Sequence, residues 1–264
     1  MNSDGLNMIT RKLPRPLMAG AAALAAAAVL VTSGCSADQK PAYEITTVQR
    51  GTFSFTPSPQ DLASGAIVAE QCEGNICGCE ADIQKVTVLG SDVGASQINK
   101  TLESYLAPQC SADYIKSTGK PVVTMATDQI FSVTTDQLTV MRGASGACQG
   151  STTAQTFDRV TGKEILLTDA VVAADLPAIF RLVAQDITQQ QNKRNPGTAN
   201  AATVEAQLAG TRGELGLIVE RGSHGGNVVK VHVGETLFSC ADGASFSAVL
   251  PSRFIQNTVL KSAL

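Results

Sequence analysis

The sequence predicts an α+β fold, with antiparallel sheets, helices packed on one face, and disulfides as staples. Three observations predict it. Apolar residues recur at helical spacing in three segments, and β-rich runs flank turn-like residues in three others. Six cysteines follow a leader that directs the chain out of the reducing cytoplasm. Tryptophan is absent and aromatic residues are 4% of the chain, so the core is expected to be mainly Val, Ile, Leu and Ala.

The leader comes first. Arg11, Lys12 and Arg15 precede an unbroken run of apolar and small residues from Leu17 to Val31, closed by Ser33-Gly34-Cys35. A charged start, an apolar middle and small residues at the cut are the layout of a secretory signal, here residues 1–34. The run is shorter than the ~20 residues that span a bilayer as a helix. The cysteine at the cut resembles the bacterial lipobox, with Thr32 standing where that motif prefers Leu. The resemblance implies lipidation of Cys35 and a membrane anchor. Ser36 after the cysteine implies outer-membrane sorting, facing the periplasm, if the host is Gram-negative. An uncleaved anchor ending by chance in cysteine is the competing reading; the small residues at the cut and the polar ones after it weigh against this. Residues 35–81 are then a lipidated cysteine, a short polar tether and a cysteine-rich segment.

Lipidation of Cys35 leaves Cys72, Cys77, Cys79, Cys110, Cys148 and Cys240, an even set in an oxidising space. Three disulfides are expected, although six cysteines allow fifteen connectivities. One intervening residue makes a Cys77–Cys79 bridge strained. These two are expected to reach two of Cys110, Cys148 and Cys240, with Cys72 taking the third. The alternative is a metal site at Cys77-Gly78-Cys79; structural zinc sites space paired cysteines more widely, and no histidine lies nearby. No metal and no cofactor are expected.

The formal charge of −3 includes three basic residues and one acid in the leader, a net +2, so the remaining chain carries −5. No basic patch with interleaved aromatics appears, which argues against a nucleic-acid partner.

Ala95 to Ala107 carries Ile98, Leu102, Tyr105 and Leu106 on one helical face and stops at Pro108. Leu176 to Gln190 follows Asp175 as N-cap and places Ile179, Phe180, Val183 and Ile187 together. A shorter helix, Ala201 to Ala209, has Val204 and Leu208. Residues 192–201, NKRNPGTANA, read as a loop. Ile130–Val133 and Leu138–Met141 are expected to form a hairpin around Thr134–Gln137, and Gln155–Asp158 and Glu164–Leu167 another around Arg159–Lys163. A third joins Leu217–Glu220 to Val228–Val233 across a Gly-rich turn. Hairpins in series imply antiparallel pairing.

Several of these pieces, in order, resemble the extracytoplasmic domain of the RsiV and PdaC proteins of bacterial envelopes. Its glycine turn corresponds to Gly143–Gly146, and its Phe-Asp-x-x-Thr-Gly-Lys hairpin to Phe157–Lys163. A Leu-x-Asp segment follows at Leu167-Thr168-Asp169, and residues 232–254 resemble the closing strand, glycine turn and Leu-Pro ending. Residues 86–106 are similar to the smaller domain that precedes it, with Ile98-Asn99 in its first helix. The resemblance implies a small PdaC-type subdomain at 82–141 and an RsiV-type C-terminal domain at 142–264. Independently of it, Thr161-Gly162 suits a tight turn, and Asp158 and Asp169 are placed to brace turns.

The family includes an anti-sigma factor whose extracellular part binds lysozyme, and proteins in which the region accompanies a peptidoglycan deacetylase. The segment before Leu17 is too short to hold a sigma factor, so the resemblance implies the binding module alone. The leading expectation is a non-enzymatic envelope lipoprotein that binds lysozyme or another cell-wall hydrolase. Two alternatives stay open: a wall-associated hydrolase, and a structural lipoprotein without a soluble ligand. For the hydrolase, Gly143-Ala144-Ser145-Gly146-Ala147 nearly spells a nucleophile elbow, but Ala147 replaces the last glycine. Only His224 and His232 offer a base; His232 alternates with Val231 and Val233 and reads as solvent-facing. No catalytic residue is assigned. Partner contact is expected on the loops, at Arg194, Asn195, Ser223 and His224.

Overall fold

The fold is that of a computed structural model, which describes residues 42–65, 67, 69–143, 148–194, 196–197, 199–211, 213, 215–223, 225–234 and 245–264. A five-stranded sheet holds the first half. Its strands are β1 (Tyr43–Phe55), β2 (Cys77–Val88), β3 (Tyr114–Ala126), β4 (Ile130–Met141) and β5 (Cys148–Asp158), in sequence order across the sheet. A short helix α1 (Pro59–Ala63) lies between β1 and β2, and α2 (Val93–Ser104) between β2 and β3. The chain then passes through α3 (Leu167–Ala170), α4 (Leu176–Arg194) and α5 (Ala201–Gly210). A three-stranded antiparallel sheet follows, of β6 (Leu217–Arg221), β7 (Asn227–Val233) and β8 (Phe246–Val249), before the closing α6 (Thr258–Ala263).

The α+β class, the antiparallel-rich sheets and the disulfide staples are those the sequence predicts. So is the β6–β7 hairpin, with Leu217 opposite Val231 and Arg221 opposite Asn227. Helix α2 begins at an Asp92 cap, whose carboxylate accepts from the Ala95 amide at 2.9 Å. The Phe157–Lys163 turn closes on Gly162 at φ +74°, and Asp158 accepts from the Val160 and Thr161 amides at 2.9 and 3.3 Å. Asp169 accepts from the Leu166 amide and from Lys163.

Several elements differ. Residues 130–141 form one continuous strand and not a hairpin, because both edges of its middle, Val133 to Leu138, are paired, with β3 on one side and β5 on the other. Strands β2 and β3 pair in parallel, since α2 carries the chain back to the start of the sheet. The second expected hairpin is reduced to one bridge, Phe157 to Glu164, and Leu167 starts α3. Helix α4 runs to Arg194, so residues 192–194 are helical; Lys193 and Arg194 suit its C-terminal dipole. The segment before Cys77, expected to be a short polar tether and a cysteine-rich segment, contains β1, whose 13 residues pair with β2 along its length. The 141/142 division runs through the β4–β5 hairpin.

The cysteine pairing differs in part: Cys79 reaches one of its expected partners, but Cys72 and Cys77 pair with each other. Cys72 bonds to Cys77, five positions away, and Cys79 to Cys110. Glu73 and Ile76 form a bridge that folds the local loop back on itself, which brings Cys72 within bonding reach. The side chain of Cys148, and Cys35 and Cys240, lie outside the described residues. Around these staples Arg142, only 4% exposed, donates to the carbonyls of Gln71, Gly78, Ala112 and Tyr114. Burial depresses its pKa, and four carbonyl dipoles compensate the charge.

The two sheets meet through hydroxyls. The edge of β6 that faces away from β7 lies on the five-stranded sheet. There Val219 donates its amide to Ser132 Oγ at 3.0 Å, and Thr156 Oγ1 donates to Leu217 O at 2.7 Å. Ser132 and Thr156 also bond each other at 2.9 Å. Both are fully buried, so side chains satisfy a strand edge that no strand covers. A Cβ at Gly216 would stand 2.1 Å from the Ala154 carbonyl, so only glycine permits the approach. Beyond β6, α4 and α5 close the larger apolar core around Ile179, Phe180, Ile187, Leu208, Leu217 and Val231.

Candidate functional site

Strand β2 pairs with β3 only from Glu80–Lys116 to Ile83–Gly119. Beyond that the two strands part: residues 84–88 stay with β1, and β3 from Lys120 onward stays with β4. Pro121, which has no N–H to give, stands just past the point where pairing with β2 ends. The second half of α2 lies over this fork and leaves a cleft of about 280 Å³. Val86, Leu102, Leu106, Ala107 and Pro121 supply its apolar wall; Gln84, Lys85, Glu103, Tyr105 and Thr135 supply polar groups.

Asn99 shows what the fork lacks. Its side-chain amide accepts from Val88 N at 2.8 Å and donates to Val88 O at 3.0 Å, standing in for a neighbouring strand. Val88 therefore makes these bonds away from β1. By the two-residue alternation of an antiparallel ladder, the N–H and C=O of Val86 also point into the fork.

Behind Tyr105 and Thr135 the sheet face is polar and under-satisfied. Thr135 stands opposite Thr153, and Val133 opposite Gln155, on the strand face that also carries Phe131 and Phe157. Gln155 is 2% exposed, yet neither amide atom has a hydrogen-bond partner among the described residues; the same holds for Thr153 Oγ1. Such groups usually hold a water or a ligand atom. Glu164 adjoins them. Burial raises its pKa, and the facing Gln155 amide lowers it by less, without reaching hydrogen-bond geometry. Burial and the nearby Glu164 charge both raise the Tyr105 phenol. The arrangement can accept and donate hydrogen bonds beside an apolar wall. No group of three or more metal-ligating side chains occurs among the described residues.

The expected contact residues do not converge here. Arg194 stacks its guanidinium on the Phe246 ring at 5.1 Å. Ser223 is exposed in the β6–β7 turn. These positions are at opposite ends of β7, since Phe246 pairs with Val233 and the turn joins Asn227. Asn195, His224 and Ser145 lie outside the described residues. His232, expected on the solvent side, is buried: its Nε2 meets the Thr152 carbonyl at 2.8 Å, because β7 is covered by β5 on that side. Burial lowers its pKa.

Sequence reasoning placed Tyr105 on the inner face of its helix but missed the fork. Two signals were available: a proline inside a strand-like run at 121, and a glutamine at 155 in phase with Phe157.

No family model and no curated protein matches the chain. Solved structures resemble the fold. One is a DUF3298 family member from Bacteroides fragilis, 9% identical, with a TM-score of 0.48, covering 84% of this chain and 97% of that one. Another is a DUF3298 family protein from Pseudomonas aeruginosa PAO1, 12% identical, with a TM-score of 0.39, covering 80% and 94%.

Proposed function

We propose that the protein is a lipid-anchored, non-enzymatic binding module of the bacterial cell envelope, and that its fork cleft receives a projecting segment of a protein partner. One observation carries this reading: Val86 directs backbone groups into the cleft, and the unpartnered Thr153 hydroxyl and Gln155 amide lie on the same sheet face, on the strand next to its lining residue Thr135. A polypeptide offers both complements, main-chain donors and acceptors for Val86 and a polar side chain for the groups behind. The resemblance to the RsiV-type domain points to lysozyme or another wall hydrolase as the partner. The −5 charge beyond the leader favours encounter with a basic protein of that kind, through association rate and not specificity.

Immobilised protein is expected to retain lysozyme or a wall hydrolase at micromolar concentration. Thr135→Trp, which fills the cleft from a half-buried strand position, is expected to abolish retention with the fold intact by circular dichroism. Retention unchanged by Thr135→Trp would move the contact elsewhere. No retention of any wall hydrolase would remove that partner class.

A further inference from the structure

The end of the five-stranded sheet from which the N-terminal tether departs carries three apolar side chains in solvent. Leu89 is 37% exposed, Val93 78% and Val160 69%. They belong to one surface. Leu89 donates its amide to Ala42 O at 3.0 Å, so the chain toward Cys35 leaves beside it. Arg159 Nη2 donates to Leu89 O at 3.1 Å, which ties the β5 turn to the same place. A Cβ on Gly94 would fall 2.1 Å from the Arg159 carbonyl and 2.8 Å from that of Val160, so the start of α2 lies directly on that turn.

The charges of this surface are answered from within. Arg159 forms a two-pronged pair with Asp92 at 2.6 and 3.0 Å, and its guanidinium also feels Asp128. The Asp158 carboxylate is used by the amides of Val160 and Thr161. Val93 and Val160 are more exposed than the paired Asp92, whose side chain is 50% exposed, which suits a lipid interface through burial of apolar side chains and not through attraction to anionic headgroups.

We propose that this Leu89–Val93–Val160 surface is the face the protein lays against the bilayer that holds its lipid. The inference rests on the lipid anchor of the preceding section. Distance then selects the face. Seven Cα-to-Cα steps separate Cys35 from Ala42, a reach of at most about 25 Å. The twelve residues of β2 extend about 36–40 Å from the Leu89 end to the disulfide loop. A tether shorter than the strand cannot seat the loop end on the membrane, but it holds the Leu89 end close to it. The fork cleft, lined on β2 by residues 84–87, lies in the half of that strand nearer this face.

The chain contains no tryptophan, which makes the test direct. Lipidated Val160→Trp and Ile76→Trp proteins each carry a single indole, at the proposed face and in the exposed loop at the far end. Both are reconstituted into phosphatidylethanolamine–phosphatidylglycerol vesicles whose acyl chains are brominated near the headgroup, and flotation confirms the anchor. The expected result is loss of most Val160→Trp emission with a blue shift, and little loss from Ile76→Trp. Floating protein in which both indoles keep their emission, or in which Ile76→Trp is quenched the more, overturns the orientation and leaves the anchor standing. Protein that does not float, with Cys35 unmodified by mass spectrometry, overturns the anchor and the orientation with it.

Discussion

The two sheets are held by different physics. The three-stranded sheet and its helices enclose a continuous apolar core in which Leu217, Val219, Ile187 and Leu208 are fully buried. The five-stranded sheet has a smaller apolar cluster under α2. It depends instead on two disulfides, a buried arginine and paired charges: Asp82 lies between Arg50 and Lys120, and its pKa is lowered chiefly by Lys120. Its strands fork, and polar groups stay unpaired inside it. The apolar half tolerates no orphaned polar group of this kind except Thr188 Oγ1 among the described residues. Apolar burial is concentrated in one half, and unpaired buried polar groups in the other.

Four experiments would break or sharpen this contrast. The largest effect is expected from Leu217→Ala, which opens a cavity in the apolar half and should lower unfolding free energy by up to about 5 kcal/mol in denaturant titration. A loss below about 1 kcal/mol would mean that the core is less decisive than its burial indicates. Next comes the covalent half. Replacing Cys79 and Cys110 together by serine frees a closure of 31 residues and should cost about 3–4 kcal/mol.

The third is a pH effect. Burial depresses the His232 pKa, so the unfolded chain binds a proton that the folded protein refuses. Its contribution to stability is complete above the unfolded value, about 6.5, and declines as pH falls through the lower folded value. His232→Gln should flatten that acid limb; an unchanged limb would assign it to other groups. Asp92 acts in the same direction further into acid, since Arg159 holds its carboxyl far below the usual range. Its contribution is present above about pH 4 and fades below.

The smallest change in stability carries the most information. Gln155→Leu replaces an unpartnered buried amide with an apolar group of similar size. It should leave unfolding free energy unchanged or raise it by about 1 kcal/mol, while weakening partner retention. A clear loss of stability would show that Gln155 is satisfied in the resting protein and is no ligand group.

Much of this was legible in residue order, and the misses share a cause. The β6–β7 hairpin, the Gly162 turn and the three long helices rest on local chemistry: a positive-φ glycine, a capping carboxylate, an apolar stripe. Residues 134–137 read as a turn because Thr-Thr-Asp-Gln is polar, yet flanking strands on both sides keep them extended. His232 read as solvent-facing because alternation in β7 cannot show that β5 covers the second face. Cys72 seemed destined for a distant partner because the Glu73–Ile76 fold-back leaves little trace in composition.

By itself, the sequence determined the helices, the turns and the class of the fold, because each depends on neighbours within a few positions. The parting of β2 from β3, the cysteine pairs, the hydroxyl contact between sheets and the exposed apolar end were decided only by tertiary structure. Each arises where segments far apart in the chain compete for the same space and the same hydrogen bonds. Such competition is settled by packing, which no local pattern encodes.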